Sequence, residues 1–353
     1  MSIILRDKIK FNCSVKKMVI GAKITGIGMH IPEKLVTNAE IEKILNRPGT
    51  AEWLEKNVGI KNRYIMAENE ATSDLAVKAS LKAMEKAGIR AKDIDLIILS
   101  TDTPDYLSPA TSTIIQYKLG AKQAGTFDIN SACAGFVTTL VTGYKYIQTE
   151  EDINTVLIIG AYGMSKFVNW KDHYTATLFA DGAGALILQK DTNHKGLLAN
   201  KMIADGQYYD YLGIYSGGTK NPNNPNANKP SDQFVTFQKR FPSELNAETW
   251  PKLISDVLNK ANLKPDDINY YFFTQLNLRT IEEVMETLKQ PMEKTHVIMD
   301  KWGYTGSACI PMAMYDAIEL GLIPKLGEGN GEKILLCSSG GGYNMSACIF
   351  TWW

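Results

Sequence analysis

The 353-residue chain carries 38 basic and 38 acidic side chains, a formal net charge of zero, which excludes nucleic-acid binding through a basic face and a polybasic membrane anchor. Hydrophobic residues make up 44% and charged residues 22%, an ordinary globular mix, and at roughly 100–200 residues per domain the length suggests two halves. Five cysteines without a CxxC pair argue against a disulfide framework or a thiolate metal site, so no metal is expected, and they favour a reducing, cytoplasmic setting.

Residues 1–17 hold too few apolar residues before Arg6 for a signal-peptide core and read as an extension ahead of the ordered pattern that begins at Met18. No run approaches the roughly 20 apolar residues of a membrane-spanning helix. A helical pattern over 74–87 leads to an apolar run at 96–100. Helices follow at 110–119 and 134–148, then runs at 156–160 and 184–188. The Asn/Pro/Gly-rich stretch 216–233 reads as a surface excursion or lid. Beyond it come a helix at 247–261, a run at 270–273, helices at 280–289 and 308–320, and a run at 333–337. The runs lack polar alternation, as strands buried on both faces do, so the pattern is α/β.

The chain also repeats itself. AMEKAGIRAKDID (83–95) reads against VLNKANLKPDDIN (257–269), Ser131-Ala132-Cys133 against Ser307-Ala308-Cys309, and NTVLIIGA (154–161) against EKILLCSS (332–339). Three matches in order at nearly constant spacing indicate a duplicated unit, with halves 18–195 and 196–353 packed together.

Within Phe127-Asp-Ile-Asn-Ser-Ala-Cys133-Ala-Gly-Phe136 a strand runs into a helix whose first turn begins near Cys133. A thiol at a helix N-terminus feels the positive end of the dipole, which favours the nucleophilic thiolate. The competing reading is a buried cysteine acting as a small hydrophobe. Cys309, the repeat mate, is followed by Ile-Pro-Met and reads as structural; Cys13, Cys337 and Cys348 carry no signal. Gly340-Gly341-Gly342, at a strand end, can bring backbone N–H groups to a ligand or simply make a turn. The small-residue block Phe179–Ala185 lacks the strand-before, helix-after context of a dinucleotide site and reads as close packing, with a contact between subunits as one option.

Five ordered motifs carry a resemblance: Asn130–Phe136, Asp181-Gly-Ala-Gly-Ala185, Gln275-Leu-Asn277-Leu-Arg279, Gly303-Tyr304-Thr-Gly-Ser-Ala308 and Gly340–Gly342. In this order they resemble the β-ketoacyl-acyl carrier protein synthase III family, of thiolase fold. The resemblance runs from about residue 18 to the C-terminus. It implies a duplicated five-layer αβαβα α/β fold, a homodimer, and Cys133 as the cysteine that takes an acyl group from coenzyme A. It implies a coenzyme A thioester as substrate without a tightly bound cofactor, and acyl carrier protein as partner. Backbone N–H groups of Cys133 and Gly341 would form the oxyanion hole. Trp53 matches an aromatic platform for adenine, His173 lies near the adenine, Asn277 sits in the coenzyme-side motif, and Arg279 matches a carrier-protein contact. Ser108, where the family often has a bulky aromatic capping the acyl pocket, implies room for a longer or bulkier acyl group.

The sequence departs from the family at three positions. Thr274 stands where the family has a histidine, Tyr304 where it has an asparagine, and Asn57 where a basic residue contacts coenzyme A. The other histidines, His30, His194 and His296, lie elsewhere. Losing one positioned oxyanion donor typically costs ~10²–10³ in rate, and the hydroxyls of Thr274 and Tyr304 can donate but not act as bases near neutral pH. The expectation is an enzyme that forms acyl-Cys133 and passes the acyl group on, with malonyl decarboxylation weak or absent. The alternative is a non-catalytic partner in a heterodimeric ketosynthase. A thiolase proper needs a second catalytic cysteine near the C-terminal glycines, and neither Cys337 nor Cys348 is in the matching place.

Overall fold

The computed structural model describes residues 20–194, 196–222 and 230–353; the expected extension 1–17, Cys13 and the middle of the 216–233 excursion lie outside the described residues. The first half contains β1 (Gly21–His30), β2 (Lys34–Thr37), α1 (Asn38–Leu45), α2 (Thr50–Asn57), β3 (Asn62–Ile65), α3 (Thr72–Ala87), β4 (Leu96–Ser100) and α4 (Thr111–Leu119). It continues with β5 (Gly125–Ile129), α5 (Gly135–Thr149), β6 (Thr155–Tyr162) and β7 (Gly182–Asp191). The second holds β8 (Leu197–Ala204), β9 (Leu212–Gly213), β10 (Thr236–Phe237), α6 (Leu245–Ala261), β11 (Tyr270–Phe273) and α7 (Leu278–Thr287). Then follow α8 (Met299–Trp302), α9 (Cys309–Glu319), β12 (Glu332–Gly340) and β13 (Asn344–Trp352).

Two sheets carry the duplication. The first has the order β1-β7-β6-β4-β5 and the second β8-β13-β12-β11. In both, the two leading pairings are antiparallel and β4–β6 and β11–β12 are parallel. The fifth strand of the first sheet is matched in the second by a single parallel bridge, Tyr271 to Thr295. Every residue of β4 and β6 is buried, as their unbroken apolar runs require.

The repeated sequence builds the same joint twice. α3 ends at Gly88 and α6 at Asn262, both left-handed, and each is followed by a 3₁₀ turn closed by an aspartate. Asp93 accepts from the N–H of Arg90 at 2.9 Å, and Asp267 from that of Lys264 at 2.8 Å. The N–H of Asp95 then enters the ladder at the carbonyl of Thr155, and that of Asn269 at the carbonyl of Lys333, both at 2.9 Å.

Helix α5 touches strands of both sheets, and α9 touches β1 and β7 of one and β11 of the other, so these two form the middle layer. α3 and α4 cover the outer face of the first sheet, and α6, with α7 packed on it, covers the second. The result is five layers, αβαβα. The small-residue block sits in this packing: a Cβ at Gly184 would come within 2.6 Å of Pro311 and one at Gly182 within 2.8 Å of the Met312 sulfur. Its glycines therefore admit α9 of the same chain.

Candidate active site

β4, β5 and β6 run parallel, and their carboxyl ends meet where Ser100 pairs with Ile129 and Gly160. Ligands in parallel sheets bind at this edge. Beyond β5 the chain makes a tight turn: the Asn130 side chain accepts from the N–H of Ala132 at 3.1 Å, and Ala132 takes a left-handed φ of 48°. That conformation is costly for a residue with a Cβ. It delivers Cys133, 8% exposed, two residues ahead of α5. Gly135 leaves room for the Ser100 hydroxyl, which a Cβ there would strike.

The second half closes on this turn. A Cβ at Gly340 would lie 2.6 Å from the Cys133 nitrogen and 2.9 Å from that of Ala134, so the end of β12 presses its bare backbone against the cysteine. Gly341 lines the same cavity of about 110 Å³ as Cys133, with Phe179, Leu212, Phe237 and Tyr304. Leu212 and Phe237 are paired in the β9–β10 ribbon that flanks the 216–233 excursion.

Tyr304, 3% exposed, lines the same cavity as Cys133, and its hydroxyl draws the thiol's pKa down against burial. Its backbone is fixed by bonds with Leu178 and Ala180, and its ring packs on Phe179 and Tyr162. Thr274 behaves differently from the expectation that it offers a donor beside Cys133. Its hydroxyl accepts from the Ser339 N–H at 3.1 Å and reaches the Ser339 carbonyl at 3.4 Å, and it lines the neighbouring cavity instead.

The electrostatics also correct the sequence reading of Cys133. Burial pushes its thiol well above the ordinary range, the Asp102 carboxyl pushes the same way, and the Tyr304 hydroxyl pulls it back. Desolvation, which the helix-terminus argument leaves out, is the largest influence on this thiol and favours its protonated form. Cys309 approaches from α9 and is pushed up by burial to about 12, consistent with a structural role.

Three cavities form a path. Trp53, 57% exposed, and His173 line an outer one of about 610 Å³ together with Arg47 and Arg240. Through Val58, Tyr174, Leu178 and Arg240 it adjoins a middle cavity of about 560 Å³ that includes Thr274 and Asn277. The middle one shares Phe241, Pro242, Ser243 and Asn246 with the Cys133 cavity. The Asn277 side chain also caps α7 by accepting from the Arg279 N–H at 2.9 Å. Arg279 itself is on the surface, paired with Glu283 at 2.8 Å. Ser108 is exposed and lines none of these three cavities.

Two residues were not visible from sequence. Asn246 stands between the middle and inner cavities, its Oδ1 accepting from the Ser339 hydroxyl at 3.0 Å and the Tyr343 hydroxyl at 3.2 Å. Asp102, past the end of β4, reads in Thr101-Asp-Thr-Pro-Asp105 as ordinary turn chemistry.

Among known proteins, the profile of 3-oxoacyl-[acyl-carrier-protein (ACP)] synthase III matches residues 127–206, and that of the synthase III C-terminal part matches residues 258–352. A beta-ketoacyl-[acyl-carrier-protein] synthase III of Fusobacterium nucleatum is 37% identical over 329 residues, covering 93% of this chain and 98% of that protein. One of Clostridium perfringens is 38% identical over 328 residues with the same coverage. The crystal structure of 3-oxoacyl-[acyl-carrier-protein] synthase III from Aquifex aeolicus VF5 superposes with a TM-score of 0.83 at 32% identity, covering 94% of this chain and 100% of that one.

Proposed function

The chain belongs to the 3-oxoacyl-[acyl-carrier-protein] synthase III family, acyltransferases of thiolase fold in fatty acid or polyketide biosynthesis, and on that premise we propose that Cys133 accepts an acyl group from an acyl-CoA and transfers it onward, with malonyl decarboxylation weak or absent. The observation that carries this reading is the cavity that Tyr304 shares with Cys133, with the Thr274 hydroxyl held by Ser339 outside it. A nucleophile has a hydrogen-bond donor beside it, and the two positions meant to stabilise an enolate hold neither a histidine nor an asparagine.

In this mechanism the thioester enters along the path from Trp53 to Cys133, its adenine against Trp53 and His173 and its arm past Asn277. Arg47 and Arg240 supply cations at the outer cavity, where Asn57 supplies none. As the sulfur attacks the carbonyl carbon, the Cys133 and Gly341 N–H groups receive the developing oxyanion. Tyr304 then holds the sulfur in place as the coenzyme A thiol leaves. The acyl pocket is the apolar inner cavity, lined by Phe179, Leu212, Phe237 and Phe241.

Arg279, exposed near α7, is the proposed contact for acyl carrier protein. A homodimer would form along β5, an edge strand flanked by the exposed Tyr106, Leu107, Tyr117 and Tyr146. That surface also holds Ser108, so a second copy would bring this residue to an acyl pocket. Among the described residues no helix is long and apolar enough to cross a membrane, and we assign the protein to the cytoplasm.

The raised Cys133 thiol favours a second reading, a partner subunit with little activity of its own. Intact-mass analysis after exposure to a panel of acyl-CoAs separates the two. An acyl adduct lost in Cys133→Ser supports transfer; no adduct from any acyl-CoA supports the inactive partner.

A further inference from the structure

Asp102 follows β4, the strand that lies between β5 and β6 at the edge where the site is built. Cys133 lies four residues beyond Ile129 and Tyr162 two residues beyond Gly160, the partners of Ser100 in that register. The Asp102 Oδ1 is closed off from solvent and has no hydrogen-bond partner, although its neighbours Thr101 and Thr103 bond each other and Thr103 accepts from the Gly163 N–H at 2.9 Å. Its charge acts on Cys133 and on Tyr162. The titratable groups on which it acts are Cys133 after β5 and Tyr162 on β6, and no cationic side chain acts on it. A carboxylate oxygen closed off without a partner, on a half-buried side chain, is costly to the fold, and groups kept at such a cost gather at functional sites.

We propose that Asp102 is the proton relay for acyl transfer at Cys133, acting through one bridging water. This rests on the acyl-transfer reading above. The Cys133 S–H proton passes through the water to the Asp102 carboxylate as the sulfur bonds to the thioester carbonyl carbon. The carbon–sulfur bond to coenzyme A then breaks. The departing sulfur takes the proton back, leaving free coenzyme A, acyl-Cys133 and the carboxylate. Burial pushes Asp102 up to about 6, where a carboxylate is ionised at neutral pH and still a competent base. The relay occupies the role that histidine plays in many acyl transfers, in a chain whose histidines lie outside the Cys133 cavity.

The test compares wild type with Asp102→Asn and Asp102→Glu in two assays: octanoyl-CoA acylation by intact mass, and iodoacetamide alkylation of Cys133 by peptide mass spectrometry across pH 5–9. Acylation should fall about 10²-fold in Asp102→Asn and recover in part in Asp102→Glu. In wild type the alkylation rate should rise through about pH 6 and level off, because the carboxylate and thiol share one proton. In Asp102→Asn it should climb without a break and exceed wild type at pH 8. The melting temperature of Asp102→Asn should equal or exceed that of wild type, since an unpaired buried charge is removed; a structural aspartate would give the reverse. Alkylation profiles that superimpose, or a less stable variant with wild-type acylation, overturn the relay. Absence of any wild-type acyl adduct sinks the acyl-transfer reading instead, and the alkylation profiles still decide whether Asp102 governs the thiol.

Discussion

Tyr304, from the second half of the fold, and Cys133, from the first, line one cavity. The Tyr304 hydroxyl favours the thiolate form of Cys133 and so opposes the effects of burial and of Asp102 on the thiol. A hydrogen bond to a charged group contributes about 1.5–3 kcal/mol. Tyr304→Phe should therefore slow acyl-enzyme formation about tenfold or more by stopped-flow or quenched mass analysis. An unchanged rate would mean that the phenol plays no part in activating the sulfur.

Two of the departures from the family pattern, Thr274 and Tyr304, make a constructive prediction. With Thr274→His and Tyr304→Asn combined, a folded protein should gain 3-oxoacyl product from a malonyl carrier protein by about 10²-fold or more, because two positioned donors return. Thr274→His alone should gain less. The middle cavity of about 560 Å³ beside Thr274 leaves space for the larger ring.

Adjacent glycines should respond differently. A Cβ at Gly340 would reach 2.6 Å from the Cys133 nitrogen, whereas at Gly341 the nearest atoms are 3.5 and 3.7 Å away. Gly340→Ala should abolish acylation and cost about 1–3 kcal/mol in denaturant unfolding, by forcing the cysteine turn off its geometry. Gly341→Ala should fold as wild type.

Trp53 is 57% exposed, so its removal should leave the melting temperature alone. Trp53→Ala should raise KM for acyl-CoA about tenfold with kcat nearly constant, as expected when stacking on a base worth about 1–3 kcal/mol is lost. A fall in kcat at constant KM would place the adenine elsewhere.

Asp316 is held by His296 at 2.7 Å and Lys301 at 2.6 Å. Burial opposes its ionisation, but these two bonds outweigh burial and hold the carboxyl below its usual range. A lowered folded pKa gives stability that is present above the unfolded value, about 3.9, and lost as pH falls through the folded one. Asp316→Asn should thus cost about 1–2 kcal/mol at pH 7, and progressively less as pH falls below about 3.9, measured by urea unfolding.

Regular elements were legible because their physics is local. The run Leu96–Ser100 announces a strand buried on both faces, and the paired segments 83–95 and 257–269 announce the repeated helix, aspartate-closed turn and strand. The cysteine turn was half legible. Its small residues are visible, but a left-handed alanine at 132 has no sequence signature, nor does the close approach of Gly340 from the other half to the Cys133 nitrogen. Sequence shows that Thr274 carries a hydroxyl; only the fold shows Ser339 taking it. Asp102 was hidden for a similar reason: an aspartate in a turn is ordinary until one of its carboxylate oxygens is closed off without a partner. The helix-dipole argument for Cys133 weighed one field and omitted desolvation, which pushes the thiol the other way.

The central claim is acyl transfer through Cys133 with little or no decarboxylative condensation. Its most direct test is mass spectrometry of enzyme and products after incubation with an acyl-CoA and malonyl carrier protein. The account predicts an acyl group on the peptide containing Cys133 and no more than trace 3-oxoacyl carrier protein. Efficient formation of the 3-oxoacyl product by the wild-type chain would contradict it.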